Sequence, residues 1–182
     1  MNGSSEQTLP SSGLAEDILS RFISEAQQET DQVRKTESTA AQVTHHVVTF
    51  QLAGEEYGVD IGSVQEIIRA TDITPVPGAQ EHVRGVINLR GKIIPVIDLR
   101  KRFRLPAVDA CELQRIVVVE LGEKRLGMLV DSVSQVIRIP SEVVEDIPEE
   151  ATSIDDNYIK GIGKLDSRLI IMLDLNRSLL IA

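Results

Sequence analysis

The chain has 182 residues, of which 42% are hydrophobic, with a single cysteine and a net charge of −9. This length can bury the core of one domain or of two small ones, and one cysteine excludes an internal disulfide. The acidic balance argues against broad binding to nucleic-acid phosphates, and no apolar segment reaches the ~20 residues that span a bilayer. We therefore expect a soluble, cytosolic protein.

The first 45 residues differ in composition from the rest of the chain. Ser, Thr, Gln and Glu dominate from Gln27 to Gln42, and a segment with so little apolar surface does not offset its ordering entropy. We therefore predict a flexible tail over residues 1–45. Within it, the segment Leu14 to Ile23 has the apolar spacing of a short amphipathic helix. This helix is either transient or a docking helix that folds onto the protein or onto a partner.

From Val47 onward, short β-branched runs separated by tight turns indicate strands. The run Val64 to Arg69 instead places Val64, Ile67 and Ile68 on one helical face, which predicts a short helical turn. Asp98 precedes a helical run to Phe103 and is placed to cap it. The strands predicted in this first half are Val47–Leu52, Tyr57–Ile61, Val83–Leu89 and Lys92–Ile97.

The second half of the chain repeats the first. Residues 85–99 align without a gap onto residues 161–175, an offset of 76, and a block over residues 58–69 aligns onto residues 127–138, an offset of 69. The repeat predicts strands near Ile116–Leu121, Arg125–Val130, Tyr158–Leu165 and Arg168–Leu173, a turn at Ser132–Ile137, and a final helical turn through Leu179 capped by Asp174.

Short strands without β-α-β alternation favour an all-β architecture of small closed barrels. The repeat places the first barrel at about residues 46–108 and the second at about residues 112–182. Two similar modules side by side form a seam and offer two surfaces that can hold different partners.

The two halves differ in their local charge. The first module carries a basic run, whereas the longer link of the second module is acidic, which is consistent either with ordinary solvated charge or with electrostatic steering of separate partners. The basic residues are Arg84, Arg90, Lys92, Arg100, Lys101, Arg102 and Arg104. The acidic residues are Glu142, Glu145, Asp146, Glu149, Glu150, Asp155 and Asp156.

No catalytic constellation is present in the sequence. His45 and His46 are adjacent, so in a strand they point to opposite faces, and Cys111 has no second cysteine with which to form a zinc site. The repeated Asp98 and Asp174 occupy equivalent positions, which helix capping explains. No nucleophile elbow or phosphate-binding loop occurs. We expect a protein that is not an enzyme and that needs no cofactor or metal.

Several motifs resemble the CheW family of bacterial chemotaxis coupling proteins. They are residues 54–61 (GEEYGVDI), 64–68 (VQEII), 84–91 (RGVINLRG) and 94–100 (IPVIDLR). The resemblance spans about Val47 to Leu180. It implies two five-stranded, SH3-like barrels packed together, with short connecting helices, no cofactor and no catalytic activity.

The resemblance also implies the partners. Family members join the cytoplasmic tip of a chemoreceptor to the regulatory domain of a CheA-type histidine kinase, in the cytoplasm beneath membrane receptor arrays. Family positions associated with this coupling match Val64, Glu66, Gly85 and Arg90, and we add Asn88 from the same motif. Arg90 lies in a predicted hairpin turn, from which a guanidinium can make bidentate bonds. We also expect an exposed groove of Val, Ile and Leu near the seam that accepts the helical receptor tip.

Two alternatives remain open from the sequence. A coupling protein of a pilus-motility chemosensory pathway has the same architecture, and gene neighbourhood separates it from a flagellar one. A small-barrel ligand or oligonucleotide binder is the alternative from another class. The 3% aromatic content leaves few rings for base stacking and disfavours nucleic acid.

Overall fold

A computed structural model describes residues 19–27, 42–70, 72–148, 150 and 154–179. Within these residues the chain is mostly β-structure. The strands are β1 (Thr44–Leu52), β2 (Glu55–Asp60), β3 (Val64–Arg69), β4 (Val83–Leu89), β5 (Lys92–Asp98), β6 (Arg115–Leu121), β7 (Lys124–Val130), β8 (Ser132–Pro140), β9 (Val144–Glu145), β10 (Ile159–Leu165) and β11 (Arg168–Leu173). The helical segments are α1 (19–27), α2 (Leu99–Arg102), α3 (Leu175–Leu179) and 3₁₀ turns at Ile61–Ser63, Ser141–Val143 and Asp156–Tyr158.

The strands form two sheets, each closed into a small barrel. One sheet has the order β3-β6-β7-β5-β4 and the other β8-β1-β2-β11-β10-β9. The first closes where Thr74, beyond the end of β3, bridges Val86 in β4. The second closes where the chain leaves β8 through a 3₁₀ turn and enters β9, which pairs with β10. The all-β, two-barrel prediction is confirmed.

The barrels are not the two sequence halves, so the predicted limits of 46–108 and 112–182 are wrong. The β1–β2 hairpin pairs with β8 and β11 of the second half, and the β6–β7 hairpin pairs with β3 and β5 of the first. Each barrel therefore combines the hairpin of one repeat with the later strands of the other. The β1–β2 and β6–β7 hairpins are equivalent in the repeat, so each could pair with the later strands of its own half or of the other half. The sequence repeat is the same in both cases and does not distinguish them.

Two predicted turns are strands. The segments Val64–Arg69 and Ser132–Ile137 lie in β3 and β8, which pair along β6 and β1 respectively. Their apolar spacing fits a helical face, but their Val and Ile side chains are β-branched and favour a pleated, half-buried surface. Long-range pairing therefore decides the conformation.

The hairpin β4–β5 and the caps were predicted correctly. Asp98 Oδ1 accepts a hydrogen bond from the Lys101 amide at 3.2 Å, and Asp174 Oδ1 accepts one from the Arg177 amide at 3.1 Å.

The largest apolar cluster joins the two barrels. It unites buried residues of both sheets, whereas each barrel interior holds a smaller cluster of its own. Four aromatic rings form a chain through the shared cluster, with centroid distances of 6.0 Å (Phe50–Tyr57), 6.2 Å (Tyr57–Phe103) and 5.5 Å (Phe103–Tyr158). Burial of this surface fixes the barrels against each other.

Helix α1 packs on the barrels. Ile23 is 6% exposed and belongs to the shared cluster, and Ala26 is half-buried against it. The amphipathic helix predicted over residues 14–23 is thus observed over 19–27, and its residues 14–18 lie outside the described part of the chain. Of the two interpretations, docking onto the protein itself is the one that this packing supports.

Candidate partner-binding site

The five predicted site residues divide into an exposed group and a buried group. Glu66, Asn88 and Arg90 reach the surface of the first barrel, and we call these three the polar patch. Val64 is 1% exposed in the shared core, and Gly85 is also buried. The Val64 side chain is therefore not accessible to a partner, and the backbone of Gly85, which has no side chain, is covered as well. Any contribution that these two residues make to binding is indirect, through the shape of β3 and β4.

A β-bulge separates Val64 from Glu66. Val64 pairs with Val119 and Glu66 with the next residue along, Val118, so that Gln65 is the extra residue of β3. In a regular strand, residues two apart point to the same face, but the bulge breaks this alternation. It directs Val64 into the core and leaves Glu66 partly exposed.

The β4–β5 hairpin presents Arg90. Its two-residue turn has positive φ at both positions, 51° at Arg90 and 80° at Gly91, which suits the right-handed twist of the flanking strands. Asn88 Oδ1 accepts from the Gly91 amide at 3.0 Å and so braces the turn. The Arg90 guanidinium approaches Glu66 at 3.3 Å, yet its side chain stays 81% exposed while that of Glu66 is 22% exposed. Arg90 is therefore positioned but still accessible.

A groove of about 440 Å³ runs between β3 and β4 beside the polar patch. It is lined by Ile67, Ile68, Arg69, Asp72, Thr74, Ile87, Asn88 and Leu89. Two backbone hydrogen bonds of 2.9 Å between Thr74 and Val86 hold its two sides together. A groove lined by four apolar side chains (Ile67, Ile68, Ile87 and Leu89) together with charged and polar ones suits a protein segment better than a small polar substrate.

A second polar cluster braces the barrels against each other. Arg100, at the start of α2, donates to both carboxylate oxygens of Asp131, with Nε–Oδ1 at 2.7 Å. Asp131 also accepts from the Ala53 amide at 3.0 Å. Burial raises the pKa of Asp131, but these hydrogen bonds outweigh it and hold the pKa below its ordinary value. Because Ala53 and Arg100 belong to different barrels, Asp131 is a brace between them that the sequence motifs did not reveal.

The predicted basic run is only partly available to partners. Arg100 is engaged by Asp131, and Arg102 lies 5.1 Å over the Tyr158 ring and donates to the Ser178 carbonyl at 2.8 Å. Arg84, Lys92, Lys101 and Arg104 are exposed, as is Glu145 of the acidic link, which pairs with Lys164 at 2.7 Å. Steering of partners by these opposite charges stays a prediction.

Sequence reasoning missed two exposed apolar side chains at equivalent positions of the repeat. Ile93 in β5 is 66% exposed and Leu169 in β11 is 58% exposed. The two are 76 residues apart, the offset of the repeat. Both lie in continuous apolar runs, so period-2 alternation could not tell outward from inward positions. The repeat shows that the two positions are equivalent, but it gives no sign of their exposure, because buried pairs such as Ile94 and Ile170 have the same offset.

The described residues contain neither a metal-ligand cluster nor a helix that could cross a membrane. Among them, no three His, Cys, Asp or Glu side chains are grouped so that they could hold a metal ion. Within the same residues, no helix has the length and apolar character needed to cross a bilayer.

His82 Nε2 is buried without a hydrogen-bond partner. The pKa of His82 is lowered, mainly by burial and to a smaller extent by the nearby positive charge of Arg102. Cys111 is exposed.

Comparisons with known proteins agree with this architecture. Residues 46–180 match the family model described as CheW-like domain. "Chemotaxis protein CheW" of Klebsiella aerogenes is 36% identical over 137 residues, which are 75% of this chain and 82% of the relative. "Chemotaxis protein CheW" of Bacillus subtilis is 35% identical over 130 residues, covering 71% and 83%. The crystal structure of the scaffolding protein TtCheW from Thermoanaerobacter tengcongensis superposes with a TM-score of 0.71 and 38% identity, covering 80% of this chain and 94% of that one. On its sequence and on its fold, the chain belongs to the CheW-like domain family.

Proposed function

We propose that this chain is a non-catalytic adaptor that couples the cytoplasmic tips of chemoreceptors to a CheA-type histidine kinase. The observation that carries the proposal is the CheW-like match over residues 46–180, together with a fold similar to that of a protein named as a scaffold. Binding to receptors places the adaptor in the cytoplasm at the membrane-associated array.

The architecture supports a scaffold role. The shared core and the Arg100–Asp131–Ala53 brace fix the two barrels against each other. A rigid two-barrel body can hold two partners in a defined relative orientation without losing much conformational freedom on assembly. A signal that depends on the geometry of receptor and kinase is transmitted better by such a body than by two loosely linked modules.

The polar patch supports a contact through Arg90. An exposed arginine that is oriented by Glu66 keeps donors free for a carboxylate or carbonyl of the partner, and arginine is enriched among residues that dominate interface energies. The exposed ion pair itself contributes only about 0–1 kcal/mol to folding. Loss of Arg90 should therefore affect assembly far more than stability.

The test is assembly with receptor signalling fragments and the kinase, measured by co-sedimentation and by kinase activation. Arg90→Ala is expected to weaken binding about 10-fold, or about 1.4 kcal/mol, while circular dichroism and the melting temperature stay near wild type. Arg125→Ala is the matched control, because Arg125 is a 43%-exposed arginine of the same barrel that is also paired, with Glu120 at 3.0 Å.

Two results would contradict the proposal at different levels. If the folded Arg90→Ala variant binds and activates as wild type does, Arg90 is not part of the site. If wild-type protein neither co-sediments with receptor fragments nor supports kinase activation, the adaptor function itself is wrong.

A further inference from the structure

Helix α1 lies outside the family match yet is part of the packed structure. The match begins at residue 46, whereas α1 covers residues 19–27. Ile23 nevertheless contributes to the apolar cluster that joins the barrels and is 6% exposed. A segment outside the family match therefore packs on the matched domain.

The contact between α1 and the barrels is narrow. Ile23 is the one fully buried side chain of α1, Leu19 and Ala26 are half-buried, and Phe22 remains 56% exposed. Beside the helix lies a groove of about 500 Å³, which α1 borders on one side and β8 and β1 on the other. The barrels contribute His46, Ser134, Gln135, Val136, Ile137 and Arg138 to its lining. A short helix held mainly by one side chain can be displaced, because an isolated helix of this length is marginal in water.

The repeat relates the strand segment beside α1 to a segment of the other barrel. Residues 136–138 of β8 correspond, at the offset of 69, to residues 67–69 of β3. The β3 segment lines the open groove beside the polar patch, whereas the β8 segment lies beside α1. The segment of β3 thus borders an open groove on the side that faces β4, whereas the equivalent segment of β8 borders α1 on the side that faces β1.

We propose that α1 is an intramolecular cover that competes with an amphipathic helix of the chemoreceptor tip for the apolar surface next to β8. The chemistry of that partner helix follows from α1 itself. The surface accepts an apolar residue deep in the cluster (Ile23) and a small one three residues later (Ala26). The exposed side of the helix is polar except for Phe22. This inference rests on the proposed function, and it adds a regulatory step that acts before receptor binding.

Only molecules in which α1 is undocked can bind the receptor helix, so the apparent Kd equals the intrinsic Kd divided by the fraction of open molecules. If about a tenth of the molecules are open, the apparent Kd for the receptor helix is about 10-fold weaker than for a permanently open protein. Removal of the cover should then strengthen binding, which is the opposite of what loss of a contact residue does.

The experiment uses the full chain with Ile23→Glu, which places a charge in the buried position and should release α1. Ser24→Glu is the matched control, because it adds the same charge at the neighbouring, exposed position. The chain contains no tryptophan, so Phe22→Trp in each protein gives a single indole fluorophore on α1. Its anisotropy reports whether the helix is docked, independently of any partner, and circular dichroism reports whether the barrels are folded.

We expect lower indole anisotropy and about 10-fold tighter binding of a receptor signalling fragment for Ile23→Glu, with Ser24→Glu equal to the parent in both. Unchanged anisotropy in Ile23→Glu would overturn the inference, since Ile23 then does not hold the helix. A released helix with equal or weaker receptor binding would also overturn it, while leaving the adaptor function intact. If no variant binds the receptor fragment, the proposed function fails and the inference fails with it.

Discussion

Gly85 offers a sharp test of how the first barrel closes. Its φ is +151°, and a Cβ built on it would lie 2.2 Å from the Thr74 carbonyl oxygen and 2.7 Å from its carbon. The obstacle is backbone, so no side-chain rotation relieves it. The substitution Gly85→Ala must push apart Thr74 and Val86, whose two backbone hydrogen bonds of 2.9 Å close the barrel.

The expected loss of unfolding free energy is about 3 kcal/mol. Backbone conformations restricted to glycine cost about 1–3 kcal/mol for other residues, and each lost hydrogen bond costs about 1 kcal/mol. A domain of this size typically has about 5–15 kcal/mol of stability. Gly85→Ala should therefore still fold at 25 °C, and urea denaturation followed by circular dichroism can measure the difference.

The repeat supplies a matched control at Gly161, the equivalent position of the second barrel. There a Cβ would lie 2.8 Å from Val144 Cγ1 and 3.2 Å from the Glu145 carbonyl oxygen, and φ is not in the glycine-favouring range. Because a valine methyl can shift, Gly161→Ala should cost only about 1 kcal/mol. Equal destabilisation by the two substitutions, or a loss below about 1 kcal/mol for Gly85→Ala, would refute the backbone-closure argument.

Two further predictions concern the contacts between the barrels. Asp131→Asn should lower the unfolding free energy by about 1–2 kcal/mol at neutral pH, because the hydrogen bonds that Asp131 receives from Arg100 are charge-assisted. Since the folded-state pKa of Asp131 lies below its unfolded value, this stability is present above the unfolded pKa and is lost as pH falls through the folded pKa. Urea titrations of both proteins from pH 7 to pH 2 should converge in acid, and a constant difference would argue against the linkage. Phe103→Ala should cost about 3–5 kcal/mol, because its ring is 3% exposed and stands between Tyr57 and Tyr158. A loss below about 1 kcal/mol in thermal or urea unfolding would show that the aromatic chain does not hold the barrels together.

The sequence by itself determined the local elements and the doubled plan. Strands β4 and β5, their Arg90–Gly91 turn and the caps Asp98 and Asp174 follow from short-range rules, because turn chemistry, capping and β-branching act between residues close in the chain. The motifs of residues 64–68 and 84–100 also located the polar patch, since family resemblance is carried by consecutive residues.

Only the tertiary structure decided how the repeats combine and which side chains of the motifs face outward. The exchange of hairpins between barrels is a choice between equivalent pairing edges, so both arrangements have the same local sequence pattern. The bulge that separates Val64 from Glu66 exists only where β3 meets β6. The docking of Ile23 and the brace at Asp131 likewise join residues distant in the chain. Such contacts are fixed by packing and hydrogen bonding in the folded state. The periodicity of apolar residues along one segment carries no information about them.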